Sequence, residues 1–237
     1  MTIAARQFRS YFNTPVAYIV MFLVLLVLGF LFFFWPPGFF LADRASVSQM
    51  FFFFGILMGL AAPALTMGLI AEERGSGTIE LLLTMPVRES EVIIGKYLGA
   101  LGLFSVMVAL TLPIPIGVST LGDLDWGPVI GGYVGLFLQG AAMLSLGIMV
   151  SSWTKDQLVA FFISFFLLVI VLWAAPLALG WAASGSMATF MQSISIQERL
   201  ASMTRGVIDT RDVIYFLSLT ALGLLVAFRA LESRRWS

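Results

Sequence analysis

The sequence predicts an all-α polytopic membrane protein, and three observations carry that prediction. Apolar residues fill 60% of its 237 positions, while charged residues fill 11%, less than half of the roughly 25% usual in soluble domains. The apolar residues gather into six runs, at 15–35, 50–71, 97–121, 128–151, 157–181 and 213–230, against the roughly 20 residues that a helix needs to cross a bilayer. None of these runs alternates polar with apolar residues, as barrel strands do. An isolated strand would leave its backbone groups unsatisfied in lipid, so each run is expected to be a helix. The organisation expected is one transmembrane domain over residues 1–237.

The elements follow in order. Arg6-Gln7-Phe8-Arg9-Ser10-Tyr11-Phe12 mixes bases with aromatics and predicts an N-terminal interfacial helix along the inner headgroup layer. Pro15 then turns the chain into the first span. That span continues to Trp35, too far for the short apolar core of a cleaved signal peptide, so it is expected to be retained. Pro36-Pro37-Gly38 opens a short outer loop before the second span. A tight outer turn at 122–127 joins the third span to the fourth, and a tight inner turn at 151–156 joins the fourth to the fifth. Two connections are long, the inner 72–96 and the outer 182–212. In the outer one Met187, Phe190, Met191, Ile194, Ile196, Leu200 and Met203 recur among polar residues, which predicts an amphipathic or re-entrant stretch on the membrane surface before the last span.

Basic residues set the orientation. With both termini in the cytoplasm, Arg6, Arg9, Arg74, Arg88, Lys96, Lys155, Arg229, Arg234 and Arg235 fall inside, and Arg44, Arg199, Arg205 and Arg211 outside. Nine against four favours this arrangement.

Composition also excludes functions. Acidic and basic residues balance at 13 each, so no basic excess points to nucleic acid. With no His and no Cys, disulfides, thiol nucleophiles, thiolate zinc sites and imidazole acid–base chemistry are ruled out. The interiors of the six apolar runs hold no Asp, Glu, Lys or Arg, Arg229 standing at the very end of the last, which argues against a proton relay or an intramembrane enzyme. Their polar residues Thr66, Ser105, Thr111, Gln139, Ser145 and Ser164 are expected to satisfy helix neighbours. Gly55/Gly59, Gly95/Gly99 and Gly131/Gly135 have the spacing that lets helices approach closely. Pro63, Pro113, Pro115 and Pro176 are expected to kink their spans.

The inner connection is the densest patch of chemistry. Gly75 and Gly77 are expected to end the second span, Thr78–Met85 to form a short helix, and Pro86 to stop it. Two long spans would hold that helix as a stiff lever, since a helix this short is not stable alone in water. Glu72, Glu73 and Glu80 offer it acidic contacts, and Leu81, Leu82 and Leu83 apolar ones. Nothing here wraps a nucleotide: Gly95-Lys96 is followed by Tyr97, and Ser90 stands where the first glycine of a phosphate-binding loop belongs.

Glu72-Glu73-Arg74, Gly77-Thr78-Ile79-Glu80, Leu82-Leu83 and Pro86-Val87, followed by Ile93-Ile94-Gly95-Lys96, resemble the inner loop of ABC type-2 transporter permeases. Within that superfamily the chain is most similar to the gliding-motility permeases and to the permease of nitrous-oxide-reductase maturation. The stretch from Thr204 to Phe216 is also similar to that group. The resemblance implies six spans in the bacterial cytoplasmic (inner) membrane and two permease chains, identical or related, above two ATP-binding-cassette ATPases. ATP and magnesium would be held by those partner chains, with no cofactor in this one. The short inner helix would be a coupling helix docked on an ATPase, with Glu72, Glu73, Arg74, Gly77, Thr78, Glu80, Leu83 and Pro86 matching that region. Membrane lipids and, as in the gliding-motility group, a periplasmic auxiliary subunit would be further partners. The function implied is the permease subunit of an ATP-driven exporter, and the apolar spans fit a lipid-like or amphipathic substrate. The alternative is an ATP-independent membrane scaffold or secondary transporter, which would have no ATPase partner.

Overall fold

The computed structural model describes residues 3–36, 39, 45–77, 89–181 and 195–232, with the backbone alone at 89 and 174–181. Its longer elements are all helices: α1 (Ile3–Asn13), α2 (Pro15–Phe34), α3 (Ser48–Gly75), α4 (Glu89–Ala109), α5 (Pro113–Leu121), α6 (Trp126–Trp153), α7 (Gln157–Trp181), α8 (Ile196–Met203) and α9 (Thr210–Glu232). Among the described residues, five stretches are long and apolar enough to cross a membrane: α2, α3, α4 with α5, α6 and α9. The fifth predicted span falls on α7, a 25-residue helix, whose described apolar part covers Gln157–Trp173. The protein is a multi-pass membrane protein.

α6 is the central post. Its residues from Gln139 to Ser152 are buried without a break, and α3, α4, α7, α8 and α9 all pack on it. Lipid is as apolar as the side chains it touches, so little hydrophobic free energy is gained by leaving it. Close van der Waals fit must hold the bundle together. Glycines supply that fit. A Cβ on Gly132 would stand 2.3 Å from the Phe51 ring of α3, and one on Gly140 2.2 Å from the Phe104 ring of α4. On α9, a Cβ at Gly223 would stand 2.7 Å from Ser145 Oγ of α6.

The peripheral helices divide their faces. On α2, Ala17, Met21, Val24, Leu28 and Phe32 are buried, the three- and four-residue spacing of one helical stripe, and they lie against α3. Phe22, Leu26, Phe30 and Phe34 on the other side are exposed, as a lipid-facing surface should be.

The helices outrun the apolar runs. α3 continues to Gly75 and α4 begins at Glu89, so Glu72, Glu73, Arg74 and Lys96 stand on helix shafts and not in a loop. Asp212 likewise lies in the first turn of α9. A helix ends where its backbone stops bonding, not where its side chains turn polar. The third predicted span is broken: Leu112 N–H donates to the Ala109 carbonyl (3.1 Å), and Thr111 N–H to that of Val108 (3.0 Å). These tight three-residue bonds precede Pro113, which has no N–H to continue the helix. At Pro63, by contrast, α3 runs on without interruption.

The polar residues of the spans bond mostly to their own helices. Thr66 Oγ1 donates to the Ala62 carbonyl and Ser105 Oγ to that of Leu101, both at 2.7 Å. Gln139 Nε2 reaches across to the Gly55 carbonyl at 3.3 Å.

Two short amphipathic helices close opposite ends of the bundle. α1 packs along the first turns of α4 and beside the last turns of α3, while α8 sits against the first turns of α6 and α3. α8 does not simply lie on a surface. Ile196, Leu200 and Met203 are fully buried or nearly so, and it packs on α3, α6 and α7. Met187, Phe190, Met191 and Ile194 lie outside the described residues.

Candidate functional site

At the α1 end, α3 and α4 lead into and out of residues 78–88, the heart of the predicted lever. Thr78, Glu80, Leu83 and Pro86 lie outside the described residues, so the short helix expected there does too. Glu72, Glu73, Arg74 and Gly77 are described, and they do four different things.

Gly77 turns the chain away from α3. Its φ of 73° lies in the left-handed region that costs glycine nothing and other residues about a kcal/mol. A Cβ there would meet nothing within 4 Å, so conformation, not crowding, calls for glycine. Gly75 is the reverse case. A Cβ on it would stand 2.6 Å from the Lys155 carbonyl oxygen, so this glycine lets the turn between α6 and α7 rest on the end of α3.

Arg74 is a strut. It is 8% exposed, and its Nη1 donates to the carbonyl of Ser152 at the end of α6. Beside it, Ser151 Oγ accepts from the N–H groups of Ile70 (3.2 Å) and Ala71 (3.1 Å) and donates to the Met67 carbonyl (2.9 Å). One hydroxyl thus ties the terminal turn of α6 to three successive points on the α3 backbone. A buried guanidinium without such partners would be strongly destabilising.

Glu73 is a bolt to α4. Its carboxylate lies 2.6 Å from Lys96 Nζ, and the same ammonium donates to the Leu69 carbonyl. Lys96 is 5% exposed, so its charge is matched by an anion and a carbonyl dipole in place of water. The bolt closes at the connected end of the α3–α4 pair, one helical turn from where the chain leaves α3.

Glu72 is exposed and faces a cleft of about 660 Å3 between α1, α3, α4 and the start of α7. Arg6 and Ser10 of α1 line the opposite wall, with Gln157 of α7 at the rim and Ala17 and Leu65 on the floor. Tyr11 anchors that wall, its hydroxyl donating to the Leu65 carbonyl at 2.7 Å. Burial pushes the Tyr11 phenol above its ordinary value, so it stays a donor at any physiological pH.

α1 reaches this position across glycines. A Cβ on Gly95 would stand 2.7 Å from Ile3, one on Gly99 2.7 Å from Gln7, and one on Gly102 2.9 Å from Phe8. The Gly95/Gly99 spacing therefore seats the N-terminal helix. At the far end, Gly131 and Gly135 seat α8: a Cβ on Gly131 would stand 2.4 Å from the Met203 carbonyl oxygen, and one on Gly135 2.9 Å from the Met203 sulfur. Arg199 of α8 pairs with Asp212 of α9 at 2.7 Å, and its guanidinium carbon lies 5.3 Å from the Tyr215 ring centroid. The Thr204–Phe216 stretch is thus a docking strip for α8, with Phe216 fully buried.

Lys96, Ser151, Ser152 and Gly75 escaped the sequence reading as parts of the site. Lys96 was visible as an inner-side charge and as part of the Ile93-Ile94-Gly95-Lys96 motif, but nothing in the sequence named Glu73 as its partner.

Residues 38–231 match the sequence profile of the ABC-2 family of transporter proteins. No curated protein is significantly similar to the chain.

Proposed function

The chain belongs to the ABC-2 transporter family, and from that premise we propose that it is the permease subunit through which a separate ATPase drives transport. The family is a membrane transport component whose members generally partner ATPase subunits. In this reading Glu72, Thr78, Glu80, Leu83 and Pro86 present the lever to the ATPase, while Glu73 and Arg74 transmit its motion. The observation that carries the reading is the paired fastening at the α1 end. Lys96–Glu73 joins α3 to α4, and Arg74–Ser152 with Ser151 joins α3 to α6. A push that reaches the end of α3 then meets fastened helices. It moves the α3–α4 pair and the central post as one unit, because packed cores shift between arrangements and do not deform continuously.

The complex we infer has two such chains, identical or related, above two ATPases that bind ATP and magnesium. It sits in the bacterial cytoplasmic membrane, with six spans and the α1 end and both termini in the cytoplasm. Exporter direction and a lipid-like or amphipathic substrate fit the apolar spans. The inner-loop motif resembles the gliding-motility and nitrous-oxide-reductase maturation permeases, and a periplasmic subunit is a further partner under that resemblance.

Two substitutions test the division of labour. Glu80→Arg is expected to lower recovery of the ATPase with the chain, by about tenfold if one charged contact of ~1.4 kcal/mol is lost. Glu73→Gln is expected to leave the ATPase bound while transport no longer follows hydrolysis. Full activity without any ATPase, or unchanged recovery and coupling in both variants, overturns the reading in favour of a scaffold or secondary transporter.

A further inference from the structure

The cleft at the α1 end shares Glu72 with the coupling reading and has further features that coupling does not use. Its rim is polar and its floor apolar, with Ala17, Ala64, Leu65 and Met67 below. It is walled by the amphipathic α1 and by the first turn of the span α2, so the change from polar to apolar occurs where a span meets its interfacial helix. Its 660 Å3 lies within the roughly 300–1,000 Å3 of small-molecule sites. Gly68 keeps the interior open: a Cβ there would stand 3.3 Å from Glu72 Oε2 and 3.7 Å from Gln157 Nε2.

The charges in it are balanced but not all spent. Lys96 is held by Glu73. Arg6 and Glu72, one on each wall, are exposed and form no ion pair among the described residues. One cation and one anion, set apart above an apolar floor, match a ligand that carries both signs on an apolar tail.

We propose that this cleft binds the headgroup of a zwitterionic phospholipid with a primary ammonium, taken from the leaflet at the α1 end. Arg6, with the Ser10 hydroxyl, receives the phosphate. Glu72 and the side-chain carbonyl of Gln157 receive the ammonium, and the first methylenes lie on Ala17, Leu65 and Met67. An anionic headgroup would place a second negative charge near Glu72 without relief. A quaternary ammonium favours an aromatic cage, and Tyr11 is the lone aromatic lining the cleft among the described residues. The proposal needs only a chain in a bilayer, so it goes beyond the coupling reading.

The test uses the full-length chain in detergent, without an ATPase, offered equal amounts of phosphatidylethanolamine, phosphatidylcholine and phosphatidylglycerol. Retained lipid is counted by native mass spectrometry. Phosphatidylethanolamine is expected to be retained over the other two. Arg6→Gln is expected to lower its retention by about tenfold, the low end for a hydrogen bond to a charged group. Glu72→Gln is expected to remove the preference over phosphatidylglycerol. Both side chains are exposed, so neither change opens a cavity in the bundle. Equal retention of all three lipids, preference for phosphatidylglycerol in the unaltered chain, or retention unchanged in both variants overturns the proposal. Displacement of the lipid by soluble phosphoethanolamine at equal concentration would mark a soluble-ligand site and overturn it as well. Because no ATPase is present, none of these results bears on coupling, and coupling can fail while the lipid preference stands.

Discussion

α1 and α8 are both short amphipathic helices seated on glycines of a span, yet they are held in opposite ways. α1 has no fully buried residue and keeps Arg6 and Arg9 exposed. It touches the bundle through side chains laid over Gly95, Gly99 and Gly102, with the Ala4 and Phe8 backbone nitrogens close behind, and through one hydroxyl. α8 buries Ile196, Leu200 and Met203 completely or nearly so. Its C-terminal backbone rests on Gly131, and its one arginine is clamped by a buried carboxylate. The first is a strap laid along the bundle and the second a plug set into it. The difference teaches that amphipathic periodicity reports two faces but not what the apolar face meets. For α1 that face meets a shallow glycine track, and for α8 it is enclosed by other helices.

The comparison breaks outright if the two helices lie on the same side of the membrane. The chain has no cysteine, so single cysteines at exposed Ser10 and Arg205 can be probed with an impermeant thiol reagent. All-or-none labelling is expected, with Arg205→Cys reacting from outside intact cells and Ser10→Cys only after lysis. Labelling of both from one side removes the topology.

The glycine seats give the next largest effect. Gly131→Val pushes a branched side chain into the Met203 carbonyl, which is backbone and cannot rotate away. Overpacking costs about 1–3 kcal/mol, occasionally more, and the upper end is expected, read as a drop in the thermal midpoint of the detergent-solubilised chain. Gly99→Ala meets Gln7 at 2.7 Å and the Phe8 backbone nitrogen at 3.1 Å, but both belong to a strap able to shift as a whole, so a smaller drop is expected. Equal drops would show that α1 is as firmly set as α8.

The polar anchors sharpen the comparison at the low end. Asp212→Asn removes the anion from a pair in which Arg199 is 27% exposed. Water relieves part of the loss, so about 2 kcal/mol is expected, below the roughly 3–5 kcal/mol of a fully buried pair. Tyr11→Phe removes one neutral hydrogen bond and is expected to cost about 1 kcal/mol. The Tyr11 contribution also has a pH signature. Its phenol titrates higher folded than unfolded, so its stabilisation is whole below the unfolded value and is lost as pH rises above it. Denaturation of Tyr11→Phe at alkaline pH should therefore be less pH-dependent than that of the parent chain.

Much of the architecture was legible from residue order. The apolar runs located helices, Pro15 marks the first position of α2, and the N-terminal amphipathic stretch and the described part of the outer one are helical. The span boundaries were not legible near charges. Glu72 to Arg74 and Lys96 read as loop residues because a charge is costly in lipid. In the bundle, the Ser152 carbonyl, the Leu69 carbonyl and Glu73 itself take that cost away. The three glycine pairs were visible, but not their guests. Gly95 and Gly99 receive α1, Gly131 and Gly135 receive α8, while Gly55 receives Gln139 and Gly59 receives Leu172.

By itself the sequence determined the class: a helical, multi-pass membrane chain with one charged inner connection, because backbone groups in lipid must be satisfied within each crossing segment. Only the tertiary structure decided which helices meet, that Lys96 fastens Glu73, and that Arg74 reaches Ser152. A glycine permits close approach without choosing a neighbour, and a charge demands a partner without naming one. Both choices are made by segments far apart in the chain and adjacent only once it has folded.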